Sequence, residues 1–572
     1  MRMTFTHIIL RPLAAIRRRA ASESGFAMVA VLGLLVVTSL LLAAIFLGVT
    51  ADVQQTQRDT DTQRAYYAAR AGENAFLYQL NQNPSFWSTC SNDYQPTPVT
   101  VPGNSTGVKY SYVPVYNPGY TSASCTSTNV ISALIDPNSG TLRMAFTGYS
   151  GPTNASGVPK VTKTIVASFR KPSPLDFLWY TDHEMKDPVL DTTNNCATEK
   201  YYWQYTTIPS GVANNCEINW AAGDHIYGPM YTNDQYLVYT NANPTFGRSG
   251  YPNDKIETSA AVSSVCVKSQ CYGATFPGGG ALAGAPYVPL PQSVSSTDLL
   301  ADATAHGDVF TGTTTINLSG GGATITNCPG STSSAACSST WLNTSVAAYP
   351  PIIYVSSGSG CPSSYTPAAG YGVNAQGQYF GACGDVYVHG TYSQPLTIVS
   401  DHDIVVVANQ SSADCYTPLT ACQANPGLTT STDGSGNPTG NATLGLVAAD
   451  FVRVMHPGTG TTAVTTPQAV TIDAAILTLS HSFMVDNYTV GSNNPQPYLS
   501  IHGAIAQRYR GAVGQVGSTG YLKDYHYDDR LHVLLPPYLF SLSTAGWVVS
   551  RETLCMPNTP ATDSSSCAYT GP

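Results

Sequence analysis

Residues 24–83 read SGFAMVAVLGLLVVTSLLLAAIFLGVTADVQQTQRDTDTQRAYYAARAGENAFLYQLNQN, and the reading of this stretch decides the fold. No charged side chain occurs between Ser24 and Ala51, and Phe26 to Val49 is almost wholly apolar. At ~1.5 Å per residue those positions cover about 36 Å of helix, enough to cross a bilayer with some tilt. A secretory h-region is shorter, about 7–15 residues. Arg2, Arg11, Arg17, Arg18 and Arg19 precede the run. The positive-inside rule therefore leaves residues 1–24 in the cytoplasm and everything after Asp52 outside. Farther along, Ala65, Ala69, Gly72, Phe76 and Leu80 recur at helical steps, and no proline intervenes before Pro84. That is one apolar stripe of an amphipathic helix. The spacing predicts a single helix from about Phe26 to Asn81, ~84 Å long.

The run Glu23-Ser24-Gly25-Phe26-Ala27-Met28-Val29 resembles the prepilin signal of type IV pilins and type II secretion pseudopilins. Arg64-Ala65-Tyr66-Tyr67-Ala68-Ala69-Arg70-Ala71-Gly72-Glu73 looks like the continuation of the same family's helix. The resemblance covers roughly residues 18–170. It implies a prepilin peptidase as partner, a cut between Gly25 and Phe26, and methylation of Phe26. It also implies that other pilins pack against the helix after the chain leaves the membrane. Pilins usually carry a glutamate at the fifth mature position, which offsets a neighbour's free amine where an unpaired charge is costly. Here that position is Ala30, a departure that certain minor pilins share. A plain single-span anchored ectodomain is the alternative.

Beyond the helix, period-two runs take over: Val108, Tyr110, Tyr112; then Leu142, Met144, Phe146; then Val161, Lys163, Ile165, Ala167, Phe169. Such runs, set between Asn, Pro, Gly and Ser clusters, predict antiparallel strands with one buried face. Lys171-Pro172-Ser173-Pro174 reads as a boundary. Farther on, short β-branched runs recur every eight to ten residues or so, including Leu396–Val399, Ile404–Val407, Leu444–Val447 and Val470–Ile472. These favour a right-handed parallel β-solenoid over a sandwich. The expected fold is α+β: a long pilin helix, a small antiparallel sheet, and a large mainly-β region forming the solenoid. The expected division is a leader (1–25), the helix (26–83), a pilin-like head (84–171), a β-rich distal region (172–380), solenoid coils (381–520) and a C-terminal cap (521–572).

Charge and cysteine usage bound the function. The net charge is −9, of which the first 25 residues hold +4, so the remainder carries −13. An acidic body without a Lys/Arg stripe argues against a nucleic-acid partner. All 14 cysteines lie beyond residue 89, none in a CxxC interval. Disulfides in an oxidising compartment are expected, with neighbours paired because short loops close at least entropic cost. The candidate pairs are Cys90 with Cys125, Cys196 with Cys216, Cys266 with Cys271, Cys328 with Cys337, Cys361 with Cys383, Cys415 with Cys422, and Cys555 with Cys567.

No motif for catalysis, cofactor or metal stands out. Asp524, His526 and Asp528 would share one face of a strand, but a solvated loop is the expectation. Asp182-His183-Glu184 are consecutive and diverge. Asp433-Gly434-Ser435-Gly436-Asn437 lacks the glycine and closing glutamate of a calcium loop. Ser356-Ser357-Gly358-Ser359-Gly360 has glycine where a nucleophilic serine would stand. Asp401, Asp403, Asp450 and Asp473 could supply carboxylates for polysaccharide chemistry if the fold gathers them. The expectation is a non-enzymatic minor pilin-like subunit, at a filament tip or initiating complex, displaying its large head for adhesion to glycans or surfaces or for assembly. A membrane-tethered polysaccharide-active enzyme is the alternative, and a secretion pseudopilin the third reading.

Overall fold

The computed structural model describes residues 26–555, except 84–85, 104–106, 127–129, 137–140, 172, 191–200, 205–215, 295–296, 331–333, 343–348, 366–377, 408–426, 457–468, 491–495, 533 and 540–545. The residues of the long apolar run form α1 (Phe26–Gln82), an unbroken helix of 57 residues. Its first half is bare: from Met28 to Val49 its apolar side chains are exposed among the described residues, and the segment is long and apolar enough to cross a membrane. Its second half is docked. Ala65, Ala69, Phe76 and Leu80 are fully buried, the stripe the sequence spacing predicts.

What buries that stripe is an antiparallel sheet of β1 (Gln95–Thr100), β2 (Lys109–Pro114), β3 (Leu142–Thr153) and β4 (Pro159–Arg170), in that order. Alternation puts Leu142, Met144, Phe146, Ile165, Ala167 and Phe169 on the face towards α1. The Phe76 ring sits 5.3 Å from Tyr112, 5.4 Å from Phe169 and 5.9 Å from Phe146, centroid to centroid. Each such ring contributes about 1.5–3 kcal/mol on burial. The closest approach is at Gly148 of β3, where an added Cβ would overlap the Ala65 carbonyl oxygen and the Ala69 amide nitrogen. Helix backbone lies directly on strand backbone there, so only glycine fits.

A fifth strand, Val548–Leu554, pairs antiparallel with β4 and completes this sheet. It also latches onto the helix. Asn81 Nδ2 donates to the Trp547 carbonyl at 3.1 Å, the Trp547 amide donates to Asn81 Oδ1 at 2.7 Å, and Arg70 pairs with Glu552 at 2.7 Å. The whole distal region is therefore an insertion between two neighbouring strands of one sheet.

Within that insertion the apolar runs stack in register. Ile353, Ile398, Leu446, Ile476, Ile505, Trp179, Met230 and Ile256 follow one another across consecutive parallel pairings, all buried. The order is not the chain order. Strand Trp179–Lys186 pairs with Tyr498–Arg510, and Leu522–Tyr527 lies between Tyr498–Arg510 and His225–Tyr227. The first and last strands of the insertion thus both pair with Tyr498–Arg510, in the middle of the ladder. Four charge pairs close the seam: Glu184 with Arg510 at 2.9 Å, Asp182 with Arg508 at 2.8 Å, Asp224 with Lys523 at 2.9 Å and Asp187 with His481 at 3.1 Å. Arg510 is wholly buried, its guanidinium 3.9 Å from the Trp220 ring centroid.

The expected fold needs correction. The molecule has one long N-terminal helix and a large sheet-rich region in which antiparallel and parallel sheets are mixed, not a uniform right-handed parallel β-solenoid. Thr314–Gly320, Gly322–Asn327 and Ser338–Leu342 form an antiparallel meander inside the distal region. The reversal is at Gly320, whose φ of 59° the glycine tolerates, so Ile316 and Ile325 pair across a hairpin. Nor does the small sheet end before the large region begins, because Val548–Leu554 returns to it. Residues 521–572 were expected to cap the stack; instead Leu522–Tyr527 lies inside the ladder. Disulfides join Cys90 to Cys125, Cys266 to Cys271, Cys328 to Cys337 and Cys361 to Cys383. Cys216 and Cys555 are disulfide-bonded as well. Cys196, Cys415, Cys422 and Cys567 lie outside the described residues, as does residue 25 of the cleavage site.

Replacing Gly148 with Ala should destabilise the head by about 1–3 kcal/mol, through overpacking against the helix backbone. Chemical denaturation followed by Trp fluorescence checks this; an unchanged midpoint contradicts the close-approach argument. A second expectation concerns Asp93, wholly buried with no hydrogen-bond partner for either carboxylate oxygen among the described residues. Burial pushes it up to about 8, against about 3.9 in the unfolded chain. A folded-state value above the unfolded one costs nothing below pH ~4 and costs increasingly as pH climbs to ~8. Asp93→Asn should therefore gain about 1–3 kcal/mol at pH 8.5 relative to the parent, with the gain vanishing near pH 4. Thermal unfolding of both proteins across that range is the measurement.

Candidate functional site

Successive parallel strands end in corners, and the corners stack because the strands are in register. Ser400 pairs with Ala448 and Ala448 with Thr478; on the far side Ile404 pairs with Val452 and Val452 with Phe483. The intervening corners, 401–403, 449–451 and 479–482, therefore lie one above another. Each carries titratable side chains: Asp401, His402 and Asp403; Asp450; His481.

Together they make an alternating line of carboxylates and imidazoles. Asp385 Oδ1 lies 2.6 Å from His402 Nδ1, and His402 Nε2 lies 3.8 Å from Asp450 Oδ2. Asp450 Oδ1 lies 3.7 Å from His481 Nε2, whose Nδ1 is 3.1 Å from Asp187. The Tyr365 ring lies 5.2 Å from both imidazole rings, and Phe451 stacks on His481 at 4.6 Å. Beneath the line, Asp403 accepts from Arg453 Nη1 at 2.9 Å, Tyr365 OH at 3.0 Å and the Phe451 amide at 3.0 Å. Arg453 Nε donates to Asp486 at 2.8 Å. A cleft of about 350 Å³ opens above, lined by Ser357, Cys361, Tyr365, Asp401, His402 and Asp450 among others. The Cys361–Cys383 disulfide fastens its rim, and Asp401 holds the Ser357 amide at 3.2 Å and the Tyr354 hydroxyl.

The electrostatics follow from burial and neighbours. Burial lifts the Asp450 carboxyl to about 6, with the His402 and His481 imidazoles pulling it back. Burial works against the His402 imidazolium, yet the hydrogen bond and charge of Asp385, with Asp403 and Asp450, raise it to about 9. His481 is likewise disfavoured by burial and raised on balance by Asp187. Such a row can hold or pass a proton, or hold a cation. Cys361 and Cys383 lie close to His402, but their sulfurs are tied to each other. The Asp385, His402 and Asp403 trio also clusters, although Asp403 is already neutralised by Arg453.

Of the four carboxylates read from sequence, the fold brings Asp401, Asp403 and Asp450 together and sets Asp473 apart, 2.8 Å from His502. Asp524 and His526 do share a strand face, 3.1 Å apart, with His502 beside His526; Asp528 instead pairs with Arg530. Asp182 and Glu184 serve the seam, and the His183 ring stacks between Tyr201 and Tyr509. Asp433 closes its own turn by accepting from the Ser435 and Asn437 amides. Ser357 Oγ accepts from the Gly384 amide at 3.0 Å. Phe26 opens α1, and Ala30 lies exposed on its bare half. Sequence reading passed over Asp385, His402 and His481. The signal was the recurrence of Ser-Asp-His-Asp (400–403), Ala-Ala-Asp-Phe (448–451) and Leu-Ser-His-Ser (479–482) after β-branched runs.

No family model matches the chain, and no curated protein matches it. Among solved structures, it is similar to the crystal structure of competence-associated pilin ComZ from Thermus thermophilus. That likeness spans 87% of this chain and 98% of that one, with 12% identity and a TM-score of 0.30, a level that carries no argument about function.

Arg453 separates support from surface in this cluster. Arg453→Met should cost about 3–5 kcal/mol, because it strands the buried carboxylates of Asp403 and Asp486 together. Equilibrium unfolding measures it; a loss below 1 kcal/mol contradicts the assigned pairing.

Proposed function

We propose that this chain is a pilin-like subunit of a bacterial surface filament, displaying a large disulfide-stapled unit outward. One observation carries the reading. A continuous 57-residue helix has a bare apolar half fit for lipid or for sister helices, and a half docked under an antiparallel sheet. Before assembly the protein is a single-pass membrane protein with a cytoplasmic N-terminus, cut by a prepilin peptidase between Gly25 and Phe26. After assembly α1 packs among the helices of other pilins. The four disulfides among the described residues suit an oxidising exterior.

The insertion spans Trp179 to Tyr527 and would crowd a helical array if every subunit carried it. That bulk, with Ala30 in place of the usual glutamate, favours a minor subunit at the tip or in the initiating complex. Its role there is adhesion to a glycan or surface, or the priming of assembly, without catalysis. The cleft with Asp401, His402 and Asp450 favours a second reading, a tethered polysaccharide-active enzyme. Turnover of a polysaccharide that Asp450→Asn abolishes would establish that reading in place of the first.

N-terminal sequencing of the protein from native membranes should return a chain starting at Phe26. A chain still beginning at Met1 removes the pilin route.

A further inference from the structure

We propose that the Lys523 amine and the Asp224 carboxyl condense into an intramolecular amide, a covalent rung that locks the seam of the distal region. The inference rests on the seam alone and does not depend on the filament reading.

The register brings the two side chains together. Asp524 pairs with His225 in the parallel ladder, so their predecessors, Lys523 and Asp224, lie side by side. Both are buried, whereas Asp524 and His225 are only half-buried. Lys523 Nζ lies 3.0 and 2.9 Å from the two Asp224 oxygens, although 299 residues separate them in the chain. A nitrogen so placed is about 3 Å from the carbon between those oxygens, a near-attack separation.

The surroundings favour uncharged partners and a developing oxyanion. Trp220 and Tyr525 are wholly excluded from water, and Lys523 Nζ lies 5.3 Å from the Trp220 ring centroid. Burial pushes the Lys523 ammonium down, against the pull of Asp224. A lysine desolvated in this way becomes a nucleophile. The Arg510 guanidinium lies 3.9 Å from the centroid of the same Trp220 ring. Arg510 Nε and Nη2, Trp220 Nε1 and the Tyr525 hydroxyl are buried and have no hydrogen-bond partner among the described residues. Burial raises the Tyr525 hydroxyl, and the charges of both Asp224 and Arg510 reach it. Unused donors are scarce in a folded core. Gathered around a carboxyl under attack, they are the groups that stabilise its oxyanion.

The step balances without an oxidant or cofactor. The Nζ–Cγ bond forms, one Cγ–O bond breaks, and that oxygen leaves as water with two protons from the Lys523 ammonium. The amide is uncharged, which removes the cost of holding an ammonium and a carboxylate out of water. The link ties Leu522–Tyr527 to the residue that opens His225–Tyr227, and unlike the disulfides it resists reductant.

The test is a peptide map of the full chain, purified in detergent, reduced, alkylated and digested with trypsin. The expected product is one species joining Tyr201–Arg248 to Gly511–Arg530, lighter by one water than its two parts and uncut after Lys523. Lys523→Met and Asp224→Ala should each abolish it, returning the two segments separately at full mass. Should either variant not fold, the parent's map decides: Gly511–Lys523 recovered free at full mass, with no linked species, overturns the proposal. A linked species that persists in Lys523→Met overturns it as well.

Discussion

The structure depends on the backbone-to-backbone contact between α1 and β3, where Gly148 lies against the turn of helix from Ala65 to Ala69. Small residues on one side and no side chain on the other let the docked half of α1 and β3 approach until dispersion contacts are made between them. That spacing lets Phe76 reach Phe146 and Phe169, and it puts Asn81 and Arg70 where Trp547 and Glu552 can meet them. The final strand is thereby bound to helix and sheet together. Since the distal region hangs between β4 and that strand, its two ends are brought side by side by the same contact.

Adjacent ends solve a problem peculiar to this topology. Parallel strands of similar apolar composition offer many near-equivalent registers, because a one-residue slip is opposed only by the inward pattern. At the seam the partners are some 300 residues apart in sequence, so chain connectivity gives little guidance. Buried charges supply the discrimination. Glu184 and Arg510 are both wholly excluded from water, and Lys523 pairs with Asp224 at 2.9 Å. A slipped register would leave each of these charges unpaired at a cost of several kcal/mol.

How much of this was legible in the sequence follows from the range of each interaction. The helix was legible end to end, since its two halves are periodic over neighbouring residues and Pro84 stops it. β2 to β4 were legible for the same reason. The fifth strand was not, because nothing in Val548–Leu554 points to β4 across some 380 residues. In the distal region the β-branched runs were read correctly as strands, but their pairing direction was not fixed by composition. The glycines at 320–322 mark a hairpin that a reading tuned to repeats passes over. The site was half visible. Asp401, Asp403 and Asp450 drew attention as carboxylates, whereas His402 and His481 gain meaning only once the corners are stacked.

Stacked corners also explain why so many ionisable groups collect on one side of the molecule. Within a parallel ladder the strands satisfy one another's backbone groups, but at a corner the chain turns away and its amides need side-chain acceptors. Asp403 on the Phe451 amide and Asp401 on the Ser357 amide do that work. Because rungs repeat every ~4.8 Å, acceptors placed for separate local reasons fall within reach of one another and couple. The row from Asp385 to His481 arises in this way, and the Asp187 that ends it directly follows the first strand of the insertion rather than belonging to the next rung. The row therefore crosses the seam, and His481 is oriented by Asp187 when the two ends of the distal region are held together. The geometry of the site is thus tied, through that one pair, to the sheet and helix at the base of the molecule.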